Sequence, residues 1–216
     1  MTPRSLLPGL LACCALAACA SRPPDRYNEL PITAQLQPTN SDTMPFAYGE
    51  PARWRDYSAI IIDPIAIYSG ADHQFGDLSD SQRRELASTM DRAFRQALRS
   101  RFMLSDSDSV RPGTLRLRLT LTGAKGNTAV VSTVTRFDLV GLPYNTVQAL
   151  RGKEGIFMGS VSYSVEVSDA MSNHLLKAYQ ARQYPNAMNV SATFGSLGAA
   201  RTGLEKGAQE LLAELQ

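Results

Sequence analysis

Asp63 is the acidic residue whose position most suggests chemistry. It lies within the apolar run Ser58–Ile67, directly before Pro64, where a buried carboxylate is costly unless a partner neutralises it. Buried acids can have shifted pKa values and act in catalysis, and Glu166 is the second carboxylate that could pair with Asp63. The structural alternatives are that Asp63 ends a strand, caps a backbone amide or pairs with an arginine.

The two histidines offer little for catalysis or metal binding. His73 lies in a polar loop beside Asp72, and His174 follows a turn, so we expect both at the surface. Together with Asp72 and Asp77 they would bind a metal only if the fold brought them together. Nucleophilic catalysis needs a Ser, Cys or Thr beside a base, and the sequence has no Gly-x-Ser-x-Gly elbow and no Walker loop. We therefore predict no catalytic residues, no metal, no cofactor and no enzyme activity.

The overall composition is that of one globular domain with a tail. The 216 residues are 44% apolar and 19% charged, which excludes disorder throughout the chain and a polytopic membrane protein. The formal net charge of +2 gives no electrostatic reason to expect binding to nucleic acid.

The first residues are typical of a secretory signal. The apolar run over residues 6–18 is shorter than the roughly 20 residues that span a bilayer, and it matches the hydrophobic region of a signal peptide. It ends in Leu16-Ala17-Ala18-Cys19, which resembles the lipobox of bacterial lipoproteins. The motif that ends at Cys13 is a rival, but it would leave an apolar run at the lower limit of length.

The resemblance to the lipobox implies that residues 1–18 are a signal peptide, cleaved between Ala18 and Cys19. It also implies a diacylglyceryl group on the Cys19 thiol and a fatty acid such as palmitate on the new amine. Several acyl chains on one residue are an effectively permanent anchor. Lipoproteins held at the inner membrane share an Asp at the next position, so Ala20 predicts the outer membrane, with the protein in the periplasm.

Residues 19–56 have the composition of a tether. Six of the twelve prolines lie within residues 20–51, and such a stretch is typical of an extended linker. In the alternative, Phe46 and Tyr48 pack along the domain. We predict a lipidated Cys19 with its Pro-rich tether over 19–56 and a single periplasmic domain over 57–216.

Periodicity predicts an α+β fold. The alternating strand over 115–122 has one apolar face. An amphipathic helix begins after Ser79, with Gln82 as the capping-box partner, and a second follows from about residue 193. We expect a mostly antiparallel sheet of about five or six strands with both helices on one face. The other strands are predicted at 58–67, 102–104, 129–135, 160–168 and 175–184, the last two forming a hairpin.

The sequence does not settle what covers the second face of this sheet. It would expose Arg116, Arg118 and a ladder of Ser and Thr, which fits poorly with the apolar strand at 58–67. Either that strand is central and covered, or the linker or segment 136–155 shields it. Because long apolar connections are uncommon without a role, segment 136–155 is predicted to cover the sheet, touch the membrane or hold a partner.

Two helix patterns are candidates for interaction surfaces. Arg84, Arg92, Arg95 and Arg99 fall within an arc of about 80° on the first helix, a basic surface that could meet lipid phosphates or simply be a solvated face. Gly203 and Gly207 have GxxxG spacing, which in a polar helix favours close packing on a sheet over helix dimerisation.

Three stretches resemble a known family. They are Ser58 to Tyr68 with its Ile-Asp-Pro centre, residues 78–86, and the segment Gly159-Ser-Val-Ser-Tyr-Ser-Val-Glu166. They are similar to an uncharacterised family of bacterial envelope lipoproteins, domain of unknown function 3313, over about residues 40–215. The resemblance implies a lipoprotein signal and a small α+β domain, and it implies no reaction.

These observations favour a non-enzymatic adaptor or assembly subunit of the cell envelope. Its partners would be the membrane, through the lipid anchor, and an envelope protein. The alternative is a periplasmic ligand-binding module with a groove under segment 136–155, and a third reading is an envelope hydrolase built around Asp63. The sequence leaves the oligomeric state open.

Overall fold

The computed structural model describes residues 26–106, 110–126, 159–184 and 197–216, and within them eight strands form one sheet. Two helices complete the α+β fold. The prediction of five or six mostly antiparallel strands therefore gave too few strands and missed the parallel pairs. The elements are β1 Gln37–Pro38, β2 Phe46–Gly49, β3 Ala59–Ile62, β4 Ala66–Ile67, α1 Asp80–Leu98, β5 Met103–Ser105, β6 Thr114–Lys125, β7 Ser160–Asp169, β8 Leu175–Gln183 and α2 Gly198–Glu214.

The sheet is mixed because α1 connects two strands that run the same way. The strand order is β1-β2-β8-β7-β6-β3-β5, with β4 also beside β6. The pairs β3–β5, β3–β6 and β4–β6 are parallel, as expected where a helical crossover links the strands. The pairs from β6 through β7, β8 and β2 to β1 are antiparallel, and β7–β8 is the predicted hairpin.

The predicted strand over 58–67 is divided in two at Pro64. β3 is buried along its whole length, whereas β4 is a separate pair of residues beside β6. Proline has no N–H to donate to a neighbouring strand, so it interrupts the ladder. Residues 123–125 continue β6 beyond the predicted end of this strand at residue 122, past an irregularity in register between Leu121 and Gly123.

Both helices lie on one face of the sheet, as predicted. The Ser79 side chain accepts a hydrogen bond from the Gln82 N–H while the Gln82 side chain accepts one from the Ser79 N–H; this is the expected capping box. Both helices contact one another and share one core with the inward side chains of the central strands. In that core, Phe94 of α1 meets Tyr163 of β7 edge to face at 5.9 Å between ring centroids.

The glycines of α2 allow the helix to lie directly on the sheet. A Cβ added at Gly207 would come within 1.8 Å of the Tyr163 hydroxyl oxygen, and one at Gly203 within 2.9 Å of Val161 Cγ1. The GxxxG spacing therefore serves close packing on β7, as predicted.

The second face of the sheet is covered by residues Tyr27–Leu36, which we call the strap. Tyr27, Leu30, Ile32 and Leu36 are buried in a second cluster with Tyr68 and Ala178. Ala178 pairs with Glu166 in the sheet register, on the face opposite the helices. The strap forms a short 3₁₀ turn over Pro31–Ala34, and β1 and β2 follow it.

Part of the predicted tether therefore belongs to the folded unit. Phe46 and Tyr48 pack against the strap cluster and lie in β2, which pairs with β8. The alternative set out above, in which Phe46 and Tyr48 pack along the domain, is therefore confirmed. Apolar side chains among the prolines provide enough buried surface for an otherwise linker-like composition to fold.

Polar side chains on this second face are also buried, although its ladder of Ser and Thr was expected to face solvent. Ser162, Ser164 and Gln180 are at most 3% exposed, and the Gln180 side-chain amide donates to Thr33 Oγ1 at 3.5 Å. The predicted strand at 129–135, segment 136–155, Ala18 and Cys19 lie outside the described residues. Neither described helix combines the length and hydropathy that a bilayer crossing requires.

Candidate functional site

Asp63 is paired with two arginines of β6. Its Oδ1 lies 3.3 Å from Arg116 Nη1 and its Oδ2 lies 3.2 Å from Arg118 Nε. The backbone N–H of Asp63 donates to the Leu117 carbonyl at 3.0 Å, which places the carboxylate at the end of β3 beside both side chains. Of the alternatives set out above, pairing with an arginine is confirmed.

Glu166 lies on the same face, opposite Arg118 in the β6–β7 register. Burial raises the pKa of the Glu166 carboxyl, and the charge of Arg118 acts in the opposite direction. Arg118 is thus flanked by Asp63 and Glu166, so the fold brings the two acids to one shared cation. The ion pairs occupy both oxygens of Asp63, and the charge of Arg118 offsets only part of the cost of burying the Glu166 carboxylate.

The two histidines are held at opposite ends of the sheet. His73 precedes Gln74, which bridges to Gly123 near the end of β6, whereas His174 follows the turn beside Leu115 at the start of β6. Eight residues of strand separate these positions, about 26 Å at roughly 3.3 Å per residue. Among the described residues, no three His, Cys, Asp or Glu side chains are grouped to hold a metal.

Each histidine has local partners. His73 Nδ1 accepts from the Phe75 N–H at 3.4 Å. His174 Nε2 lies 2.7 Å from Glu50 Oε2, and the other oxygen of Glu50 accepts from the Tyr48 hydroxyl. These bonds pull the Glu50 pKa below its usual value, with the Tyr48 hydroxyl as the largest cause.

The predicted basic surface is present only in part. Arg84, Arg92 and Arg99 are exposed, but Arg95 bonds to Asp91 Oδ1 at 2.8 Å and to the Ile62 carbonyl at 3.0 Å. Arg95 therefore fastens α1 to the end of β3, and its guanidinium is less available than the other three to bind a group in solution.

Two depressions lie on the described surface. A groove of about 910 Å³ runs along the junction of α1 and α2 and is crossed by the ion pair between Arg201 and Glu85. A smaller pocket of about 510 Å³ lies where β6 ends and β7 begins, and Gln74, Ser160 and Ser162 are among its lining residues.

The most distinctive surface is the β5 edge, which we define as Met103, Leu104 and Ser105. Among the described strands, β5 pairs only with β3, through Ala59↔Met103 and Ile60↔Leu104. Met103 is 60% exposed and Leu104 is 37% exposed. An edge strand with free backbone groups and apolar side chains is a ready template for pairing with another chain.

The opposite edge of the sheet differs in this respect. It is formed by β1, of two residues, one of which is Pro38. A proline at an edge removes a donor and is one of the ways in which proteins block strand addition. The β5 edge contains no proline and no charge, although it is short, so the two ends of the sheet are not equally protected.

Charges of opposite sign stand at the two ends of the β5 edge. Arg99 and Arg101 precede it, and Asp106 follows it. Arg101 donates to the Trp54 carbonyl at 3.2 Å and lies over the Phe102 ring, whereas Asp106 is exposed. The sequence predicted a short strand here but not its position at the edge of the sheet. The feature that could have indicated an edge is a strand with two apolar residues between charges of opposite sign.

The fold and surface define a class: an α+β domain in which β5, with its exposed apolar side chains, is an edge among the described strands. Within that class the chain belongs to the family described as a protein of unknown function, DUF3313, whose model matches residues 26–211. That match begins at the residue before the strap and includes both sheet edges. No curated protein matches the chain significantly.

Several solved structures resemble the chain distantly. A PelC dodecamer from Paraburkholderia phytofirmans has 11% identity and a TM-score of 0.38, covering 78% of this chain and 91% of that one. Protein XCC0632 from Xanthomonas campestris has 10% identity and a TM-score of 0.35, covering 76% and 86%. A neuraminyllactose-binding hemagglutinin homolog from Helicobacter pylori has 10% identity and a TM-score of 0.33, covering 78% and 85%. These similarities are too distant to support an inference about this chain.

Proposed function

We propose that this protein is an outer-membrane-anchored periplasmic lipoprotein that acts as a non-enzymatic adaptor or assembly subunit of the cell envelope. The observation that carries the proposal is the β5 edge, with Met103 60% exposed and Leu104 37% exposed and no second strand beside β5 among the described residues. A protein partner docks there by adding a strand to the sheet.

Strand addition suits the geometry of this edge. The outward N–H and C=O groups of β5 supply main-chain hydrogen bonds, and Met103 and Leu104, on opposite faces of the sheet, supply apolar contacts to side chains of the added strand. Because Pro38 lies at the other edge, strand addition is favoured at β5 over β1.

The anchor would hold the folded domain near the membrane. Cys19 and the first strap residue, Tyr27, are eight residues apart in the sequence, which is at most about 28 Å of chain. That span is far shorter than a tether over 19–56 would give. The adaptor therefore works close to the inner leaflet of the outer membrane.

In-cell photo-crosslinking tests the docking role of the edge. A photoreactive amino acid replaces Met103 in the full chain, and the matched control replaces Met171, which is 58% exposed but lies in the turn between β7 and β8. We expect an adduct with an identifiable envelope protein from position 103 and none from position 171. No adduct from 103, or the same adducts from both, would contradict the proposal.

A ligand-binding module is the second candidate, favoured by the pocket of about 510 Å³ beside Ser160 and Ser162. Its volume lies in the range of small-molecule sites, and hydroxyl groups in its wall can orient a polar ligand. Native mass spectrometry of the protein purified from its own cells tests this. A stoichiometric small-molecule adduct supports the module, and a mass equal to that of the lipidated chain alone counts against it.

A further inference from the structure

We propose that the outer surface of α1 binds a polymer that carries repeated carboxylates, and that this polymer is the cell wall. The surface, which we call the arginine stripe, consists of Arg84, Arg92 and Arg99, all of them exposed. The inference goes beyond docking at the β5 edge. It rests on the proposed lipid anchor at Cys19 for the direction in which the stripe points.

The basic residues of the helical layer differ in whether they have a partner. Four of those in α1 and α2 form ion pairs with a carboxylate: Arg83 with Asp80, Arg95 with Asp91, Arg201 with Glu85 and Lys206 with Glu210. Within the described ranges, the side chains of Arg84 and Arg99 have no ion pair or hydrogen bond, and Arg92 bonds to the uncharged hydroxyl of Thr89 at 3.3 Å. The three guanidinium groups of the stripe are therefore available to a ligand from outside the domain.

The arginine stripe runs along the helix and contains no acid. Arg92 is eight residues after Arg84, and Arg99 is seven after Arg92, so their Cα atoms are separated by about 12 and 10 Å along the axis. The acids of α1 lie outside the arc that these arginines span, and all have the ion pairs given above. Among the described residues of α1 and α2, Glu205 is the acid left without an ion pair; it lines the interhelical groove with Arg92. Unpaired positive charge therefore exceeds unpaired negative charge on this side of the domain.

Arginine at all three positions suits a carboxylate ligand. Its planar guanidinium donates two parallel hydrogen bonds to the two oxygens of one carboxylate, which the ammonium of lysine does not. Because the three residues are spaced about 10–12 Å apart along α1, each binds a different carboxylate, and a small anion contacts only one of them. The pattern therefore favours a ligand in which carboxylates recur along a polymer, as they do in the peptides of the bacterial cell wall.

The position of the strap argues against the other repeating oxyanion, the phosphates of the membrane that would hold Cys19. The strap covers the face of the sheet opposite α1, and the outer side of α1 lies about 25 Å from it through the sheet and helix layers. The eight residues from Cys19 to Tyr27 extend to at most about 28 Å, and a path around the edge of the sheet is longer than the path through it. The stripe therefore faces away from the membrane, toward the cell wall.

The expected contact is weak for one domain and stronger for an anchored population. Ion pairs between exposed groups contribute little individually and are screened by salt. Many copies on one membrane surface and many carboxylates on one polymer raise the effective concentration of each partner. Binding should therefore be reversible, sensitive to ionic strength and dependent on all three arginines.

Sedimentation with purified cell-wall sacculi tests the stripe. The full lipidated chain in detergent is compared with a stripe variant that combines Arg84→Gln, Arg92→Gln and Arg99→Gln. The matched control combines Arg53→Gln, Arg55→Gln and Arg111→Gln, which removes the same charge from exposed residues outside α1. We expect the stripe variant to bind about tenfold more weakly than the wild type at low salt and the control to stay within about twofold. Thermal melts of both variants check that they are folded.

Two further measurements identify the ligand and the direction of the stripe. Sacculi whose carboxylates have been converted to amides should bind the wild type no better than they bind the stripe variant. A photoreactive amino acid in place of Ser88, which is exposed between Arg84 and Arg92, reports what the stripe touches. In vesicles containing phosphatidylglycerol, with the protein inserted through its own anchor, we expect no lipid adduct from position 88.

Each outcome supports or overturns the inference, and none of them depends on the β5 edge. Equal loss of binding in the stripe variant and the control would show that net charge alone is responsible, and undiminished binding to amidated sacculi would exclude carboxylate recognition. A lipid adduct from position 88 would place the stripe on the membrane instead. If position 103 crosslinks to an envelope protein while the sacculi fail to bind the wild type, the adaptor stands and the cell-wall contact is wrong. If the sacculi bind through the stripe while position 103 gives no adduct, the cell-wall contact stands and docking at β5 is wrong.

Discussion

Gly207→Ala tests the packing that joins the helical layer to the sheet. Gly207 lies on α2 against Tyr163 of β7, whose side chain is 1% exposed. An added Cβ would come within 1.8 Å of the tyrosine hydroxyl oxygen and 2.8 Å of its Cζ. The same ring packs edge to face against Phe94 of α1, so a shift of the ring would disturb that contact.

The expected loss of stability follows from two opposing effects. Forcing an extra methyl group into a packed core costs about 3 kcal/mol at the upper end of its usual range, and such severe overlap places Gly207 at that end. Alanine improves the helix propensity by about 1 kcal/mol over glycine. The net loss is therefore about 2 kcal/mol, or about 4–8 °C in Tm for a chain of this size.

A graded series makes the prediction specific to the contact. At Gly203 the nearest atoms would lie at 2.9 and 3.2 Å, so Gly203→Ala should lose about 0–1 kcal/mol, since milder strain is offset by the same propensity gain. At Gly49 nothing lies within 4 Å of the added Cβ, and Gly49→Ala should be neutral. Urea unfolding of the four proteins, wild type included, measures the order.

A double-mutant cycle with Tyr163→Phe identifies the contact itself. Removing the hydroxyl oxygen relieves the closest overlap, so Gly207→Ala should cost less in the Tyr163→Phe background than in the wild type, with a coupling energy of about 1 kcal/mol. If Gly207→Ala is as stable as the wild type but changes the oligomeric state, the glycine serves helix dimerisation and the reasoning is wrong.

Three further predictions concern other parts of the molecule. Asp63→Asn removes the carboxylate of a half-buried ion cluster and should lose about 1–2 kcal/mol in urea unfolding, whereas Asp56→Asn, at an exposed ion pair, should lose nothing measurable; equal losses would contradict this. Asp72 accepts a hydrogen bond from the Asn28 N–H of the strap at 2.9 Å, and a hydrogen bond from the Tyr68 hydroxyl lowers the pKa of the Asp72 carboxyl. The contribution of Asp72 to strap stability is therefore present above about pH 4 and is lost as the pH falls through the lowered pKa. Hydrogen exchange of the strap, corrected for intrinsic rates, should show this loss, and Tyr68→Phe should weaken the strap at neutral pH and reduce the pH dependence; an unchanged profile would refute the role of Asp72 in holding the strap. Cys19→Ser should give a chain without lipid mass in intact-mass measurement and should release it from membranes, and unchanged membrane partitioning would show that the lipid is not the anchor.

Short-range patterns predicted the local elements well. The Ser79–Gln82 capping box and the apolar stripe of α1 are patterns formed by residues only a few positions apart. The strands β6, β7 and β8 can be recognised from the two-residue period of a strand. The pairing of Asp63 with an arginine was also among the alternatives, because a charged residue in an apolar run requires a partner.

The covered second face was harder to predict because it depends on residues far apart in the sequence. Tyr27 and Tyr68 meet at 5.2 Å between ring centroids, and β2 joins the sheet through β8, more than a hundred residues later. Neither partner carries a local signal for the other, so a proline-rich stretch with scattered aromatic residues has the composition of a linker even where it folds.

The sequence by itself determined the secondary structure of the helices and the longer strands, the motif ending at Cys19, and the family. The tertiary structure alone decided which of the described strands lie at the edges of the sheet, that Pro38 lies at one such edge and Met103 and Leu104 at the other, and that both acids flank Arg118. The physical reason is that helix caps and strand periods arise from contacts between near neighbours, whereas the order of strands in a sheet arises from contacts between residues far apart in the sequence.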